Sequence, residues 1–307
     1  MVQSHGIRMQ WQQKARVGII TSMFKSLFCQ SQRKCNDSTV QGCCVLVLQR
    51  TMKDLSMLHS HEERSLTVKY SRQHQNVGKC LIINNKNFPG CPSAQRRGTE
   101  KDEQLLRLTF RLLGFSVQVE RDLPADGMRH VLQKVSQEDH TEMSCFACVL
   151  LSHGGPGTVM GADGVSVTVR SLTSTVTTDL CPSLQGKPKL FFVQACRGTM
   201  LDSGVEHDCG ESEQDFVGAA DIPEEDFLCC YSTSPGYSSW RNPTYGSIFV
   251  RELCDVLTRH RRLEITRLLT RVNHQVGTFF QSHTGKRQMP CIISKLTKEL
   301  YLHTGYF

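Results

Sequence analysis

The sequence predicts an α/β fold around a largely parallel sheet, and three observations carry that expectation. Short apolar segments of strand length alternate with longer amphipathic segments of helical period, the order a parallel sheet requires. Two apolar segments, 145–152 (CFACVLLS) and 189–195 (KLFFVQA), show no polar alternation, as expected of strands covered on both faces. Both run straight into reactive residues, His153-Gly154 in one case and Cys196-Arg197-Gly198 in the other. In parallel sheets sites form beyond the carboxyl ends of the strands, so both ends should lie on one edge.

The elements follow in order. Residues 79–84 (KCLIIN) read as a short apolar strand. Residues 99–114 read as an amphipathic helix, with Thr99 as N-cap, Asp102 completing a capping box and Gly114 as the stop. Residues 115–120 alternate as a strand, and 125–137 are helical again. After the strand at 189–195, residues 199–225 are acidic, rich in Gly and Ser and without apolar period, so they read as an exposed linker. A second block follows, with a strand at 226–231, helices at 247–260 and 263–276 and a last strand near 291–294. No internal repeat is visible.

Composition bounds the class. Of 307 residues, 39% are hydrophobic and 21% charged, which suits a soluble globular chain. No apolar run approaches the ~20 residues that span a bilayer, so no membrane partner is expected. The net charge of +7 is unevenly placed. Residues 1–75 hold 11 Lys/Arg against 4 Asp/Glu, and 76–307 hold 25 of each. The tail, 1–75, reads as a solvated, disordered pro-segment. The competing readings are an arm for nucleic acid or an anionic surface and a mitochondrial presequence; no nucleic-acid partner is expected.

The 15 cysteines sit mostly in apolar segments, as buried thiols do in a reducing compartment, so a cytoplasmic location is expected. The lone CxxC, Cys145 and Cys148, lies in a strand where positions three apart face opposite sides, so it cannot chelate one ion. No metal or other cofactor is expected.

The chemistry sits at the two strand ends. Cys196 stands in the pentapeptide Gln194-Ala195-Cys196-Arg197-Gly198, with His153 upstream. A histidine beside a cysteine can take the thiol proton and stabilise the thiolate for attack on an amide carbonyl. Backbone N–H groups of Gly154 and Cys196 would hold the resulting oxyanion.

These residues resemble the caspase family, closest to executioner caspases of the caspase-three type. The likeness runs from about Gly78 to His303. It is carried by the Cys196 pentapeptide, Ser152-His153-Gly154, Arg96-Arg97-Gly98-Thr99, Ser239-Trp240-Arg241-Asn242 and Pro290-Cys291-Ile292-Ile293-Ser294, among others. The resemblance implies a three-layer sandwich on a six-stranded, mostly parallel sheet. It implies an aspartate-specific cysteine endopeptidase with Cys196 as nucleophile and His153 as its partner. It assigns the primary pocket to Arg96, Gln194 and Arg241, two guanidiniums and an amide for one carboxylate. Ser239, Trp240 and Asn242 would line the substrate cleft, and the carbonyl of Ala94 would hold the histidine.

The resemblance further implies a zymogen cut after Asp208, with Asp215 a second candidate, by an upstream caspase or by itself, executing apoptosis. The large subunit would span 76–208, the linker 209–225 and the small subunit 226–307. Two such pairs would form a homodimer edge to edge through the last strand, acting on protein substrates. The chain departs from the pattern in three places: Ser238 stands for an aromatic, Ile248 for a Trp, and 280–290 is short. A tolerant outer cleft is therefore expected. Other readings are a catalytically weak caspase-like protein that regulates active relatives by heterodimerisation, and a nucleic-acid binder using the tail.

Overall fold

The computed structural model describes residues 68–71, 74, 76–200, 222–282 and 285–302. Its centre is a six-stranded sheet. Strand β1 (Asn76–Asn84) lies between β2 (Phe115–Arg121) and β3 (Met143–Leu151), both parallel to it. Next come β7 (Lys189–Gln194) and β8 (Phe227–Tyr231), also parallel, and β11 (Cys291–Ser294) closes the edge antiparallel to β8. The order β11-β8-β7-β3-β1-β2 gives the mixed, mostly parallel sheet expected.

Side-chain alternation sends each strand's apolar residues to two cores. Leu81, Ile83, Phe146, Cys148, Leu150 and Phe191 face one layer. That layer holds α2 (Ala125–Ser136) and α3 (Val169–Thr173). Cys80, Ile82, Ala147, Val149, Leu190 and Phe192 face the other. Here lie α1 (Thr99–Leu112), α4 (Ile248–Arg259) and α5 (Ile265–Phe279). Burial of each such Leu, Ile or Phe contributes about 1.5–3 kcal/mol, so both faces must be covered for the sheet to be stable. Cys145 belongs to one core and Cys148 to the other, which separates the two sulfurs of the CxxC.

Three readings need correction. The capping box at Thr99 and Asp102 does not form: the N-cap is Gly98, left-handed at φ +87° with no side-chain cap. Thr99 instead donates its hydroxyl to Asn84 Oδ1 at 2.8 Å, and Asp102 Oδ1 accepts from the backbone N–H of Ser247 at 2.8 Å. Both side chains are buried, because the start of α1 is turned into the protein, and there core groups outcompete the helix's own N–H groups.

The linker reading is too long at its end. Ile222 is fully buried and its carbonyl accepts from Arg170 and Lys295, at 3.2 and 3.0 Å. Asp208 and Asp215 lie outside the described residues. At the other end, folded structure reaches back into the stretch read as tail. The Tyr70 N–H donates to the Glu299 carbonyl at 3.1 Å, and its hydroxyl donates to Asp226 at 2.5 Å.

Small elements escaped the sequence reading. A three-stranded sheet of β4 (Gly154–Gly155), β5 (Thr158–Met160) and β6 (Ser166–Thr168) follows β3. A hairpin of β9 (Arg241–Asn242) and β10 (Gly246–Ser247) precedes α4. At two or three residues each they carry no readable period.

Candidate active site

Strands β3 and β7 pair so that Leu151 lies opposite Gln194. The Ser152 N–H donates to the Gln194 carbonyl at 3.2 Å, so the two chains leave the sheet side by side. His153 and Cys196 thereby line one cavity of about 220 Å³, together with Gln194, Ser239, Trp240 and Arg241. Sequence reasoning placed both reactive residues at one edge, and the structure brings them there.

The imidazole of His153 is oriented from behind. Its Nε2 lies 2.6 Å from the Ala94 carbonyl, and the Phe88 ring packs on it with centroids 4.9 Å apart. A carbonyl can only accept, so Nε2 carries the proton and Nδ1 is left as the proton acceptor. Burial lowers the pKa of His153 below its ordinary 6.5; the Ala94 bond opposes this, and the positive charges of Arg96 and Arg241 reinforce it. The neutral imidazole is the resting form near pH 7.

Cys196 is half-buried, and the backbone N–H of Ser239 points at its Sγ from 3.3 Å. Gly154 packs where a side chain cannot: a Cβ there would sit 2.5 Å from the Thr158 carbonyl oxygen and 2.9 Å from that of Cys196. Glycine therefore lets the backbone after His153 close onto the backbone of Cys196.

Beside the cysteine lies a basic pocket. Arg96 has no solvent exposure. Its Nη1 donates to the Asn85 carbonyl and to Thr99 Oγ1, at 3.0 and 2.9 Å. Its Nε and Nη2 are buried with no hydrogen-bond partner. Burial, and then the charge of Arg241, pull this guanidinium down to about 9. Arg241 holds its place by donating Nε to the Arg97 carbonyl at 3.0 Å. Gln194 is buried at the end of β7, and its Nε2 donates to Ser239 Oγ at 2.8 Å. Asp102 stands behind as a buried carboxyl raised to about 6 by burial, against the opposing pull of Ser247, Arg96 and Arg241. A buried cation with free donors is costly unless an anion completes it, so this pocket suits a carboxylate.

An outer cavity of about 460 Å³ adjoins, lined by Trp240, Arg241, Asn242, Ile248, Arg251 and Phe280 among others. Trp240 is held by its backbone N–H donating to Gln288 Oε1 at 2.8 Å, and its ring lies 6.2 Å from Phe280. Asn242 is at the cavity wall, but its side-chain Oδ1 accepts from the backbone N–H groups of Thr244 and Tyr245, at 2.8 and 3.1 Å. That oxygen therefore serves the β9–β10 turn.

Sequence reasoning missed Gln288. It is buried in the short loop before β11, where its amide also donates to the Ser232 carbonyl at 2.6 Å. A single glutamine in a polar loop gives no signal of such a role. The Ser239 N–H bond to sulfur was equally invisible, because it depends on a loop from the second block folding over the first.

The chain is similar to known proteins over most of its length. The caspase domain, as a family, matches residues 77–301. Caspase-7 of Gallus gallus is 46% identical over 248 residues, covering 76% of this chain and 80% of that protein. Caspase-3 of Bos taurus is 46% identical over 246 residues, covering 77% of this chain and 88% of that protein. Caspase-3 of Mus musculus is 45% identical over 243 residues, with coverage of 76% and 87%.

Proposed function

Because the chain belongs to the caspase family of cysteine endopeptidases, we propose that it cleaves protein substrates on the carboxyl side of aspartate. The observation that carries this reading is the buried Arg96, whose Nε and Nη2 have no partner and whose charge acts on Arg241 and Cys196. An aspartate carboxylate seated against Arg96, Arg241 and Gln194 brings the next carbonyl over the sulfur.

The chemistry then follows from the geometry. His153 Nδ1 takes the Cys196 thiol proton, and the thiolate forms a bond to the scissile carbonyl carbon. The C=O electron pair moves onto oxygen, where N–H groups of Gly154 and Cys196 stabilise it. The tetrahedral adduct collapses and the C–N bond breaks. The leaving amine takes the proton back from His153, which leaves an acyl-thioester on Cys196. Water, deprotonated by the same imidazole, releases the new carboxylate and restores the thiol. Ala94 keeps the ring in the required tautomer throughout.

In this reading the chain is a zymogen of the apoptotic, cytoplasmic executioner type. Cleavage after Asp208 or Asp215 by an upstream caspase separates large and small subunits. Two pairs associate through β11, an edge strand with one side unpaired among the described residues. The outer cavity beside Trp240 receives the fourth residue before the cut.

The test is cleavage of peptides that differ solely in Asp, Asn or Glu before the scissile bond, with a Cys196→Ala chain as control. Cutting after Asp alone, lost in the control, is the expected result. No cutting by the chain even after its linker is opened would defeat the protease reading and favour a regulatory partner of active relatives.

A further inference from the structure

The turn between α4 and α5 and the outer face of α5 gather Arg259, Arg261, Arg262, Arg267 and Arg271, with His260 and His274. The two acids in this stretch are engaged. Asp255 pairs with Arg259 at 2.7 Å, and Glu264 accepts from the N–H groups of Thr266 and Arg267 at the start of α5. Glu299, on the segment that meets Glu264 through Tyr301, accepts the Tyr301 hydroxyl at 2.9 Å. Arg261, Arg262, Arg267 and Arg271 have no ion-pair partner among the described residues. The excess is local, since residues 76–307 balance 25 bases with 25 acids.

Position gives the ridge its meaning. Arg267, Arg271 and His274 follow one another by four and three residues and so share a face of α5. The face continues to Thr278, whose hydroxyl lies 3.3 Å from His274 Nδ1. Just beyond, Phe280, Gln281 and Ser282 line the outer cavity. At the helical rise, Arg271 and Arg267 stand about 14 and 20 Å from Phe280. An extended peptide covers that span in roughly four to six residues.

We propose that this ridge is a substrate exosite that holds an acidic stretch of polypeptide on the amino-terminal side of the cut. The stretch lies about four to six residues beyond the part of the substrate seated in the outer cavity. The inference rests on the protease reading above. A row of unpaired arginines attracts carboxylates, shortens the search for the cleft and loses strength with salt. A peptide is the occupant favoured over nucleic acid. The row ends at a cleft lined for an extended chain, and no Phe, Tyr or Trp stands between the arginines in sequence to stack a base.

The experiment compares two peptides with the same residues around the cut, one bearing a run of glutamates about five residues farther upstream and the other glutamines there. Wild-type chain should cleave the glutamate peptide with a kcat/KM roughly tenfold higher at low salt, and the advantage should fade at about 0.5 M salt. In an Arg267→Glu, Arg271→Glu chain the advantage should vanish while a short, unextended peptide is cut as by wild type. Equal rates on the two long peptides by wild type would overturn the exosite. Should even the short peptide resist cleavage, the protease reading falls, and the ridge is judged alone by anisotropy of the labelled glutamate peptide on the Cys196→Ala chain. Binding lost with the two arginines supports it, and absent binding removes it. Tighter binding of a single-stranded oligonucleotide to the same arginines would overturn the assignment to polypeptide.

Discussion

Arg96 holds a charge where water does not reach, and its two open donors make it the residue most dependent on a ligand. Arg96→Ala should lower kcat/KM on aspartyl peptides by about 2–5 kcal/mol of transition-state binding, the range for a buried charge pair losing one member. Arg96→Lys should rescue little, because an ammonium lacks the planar fork. The same pocket tunes its neighbour. Burial first, then Arg96 and Arg241, hold His153 below 6.5, so the neutral ring persists into mild acid. Activity of the free enzyme should therefore fall on an acid limb whose midpoint lies below 6.5, read from kcat/KM against pH. The stability contribution has the same sign. It is present above 6.5 and lost as pH falls through the lower folded value, because the unfolded chain then binds the proton first. Cys196 and His153 were legible in the sequence from the strand ends they follow, and Arg96 and Arg241 were legible solely through the family resemblance. Gln288 and the Ser239 N–H were not, because their roles exist solely where distant loops meet.

At the scale of elements, the strands and long helices could be read because apolar period decides them, and β3 and β7 could even be paired by their ends. The start of α1 could not. Thr99 and Asp102 have the right residues for a capping box, yet Asn84 and Ser247 claim them. Local propensity loses wherever an element end is buried. On the protease reading, the short β4 bears on catalysis. Gly154→Ala would place a methyl against the Thr158 and Cys196 carbonyls, and the strand would have to move away. A shift of about 1 Å at a reacting centre costs on the order of 100-fold, so kcat should fall by about that factor, and the melting temperature should drop as well because both clashes are with backbone. The outer cavity, where Ile248 meets Trp240 and Phe280, is wide and largely apolar in its walls. A positional peptide library should show strong selection for Asp before the cut and a broad profile at the fourth position. Strict Asp selection there would mean that Arg251 or Arg241 rules that cavity.

The central six-stranded sheet is written in two stretches of the chain. Residues up to β7 supply four strands, and the later stretch adds β8, β11 and two of the helices that cover a face. Ile222 and Tyr70 tie the stretches together near the start of β8. Separately produced pieces ending at Met200 and starting at Ile222 should each be insoluble, while co-produced pieces should form a soluble, cooperative unit. Recovery of either piece alone as a folded monomer by gel filtration and circular dichroism would contradict this. The strand order also sets a timetable for synthesis. When Gln194 is joined to the nascent chain, the strands up to β7 are already made, and Ser294, the end of β11, lies 100 residues farther on. At ribosomal speeds of ~5–20 residues per second that interval lasts roughly 5–20 s, long enough for a holding chaperone to be the nascent chain's first companion.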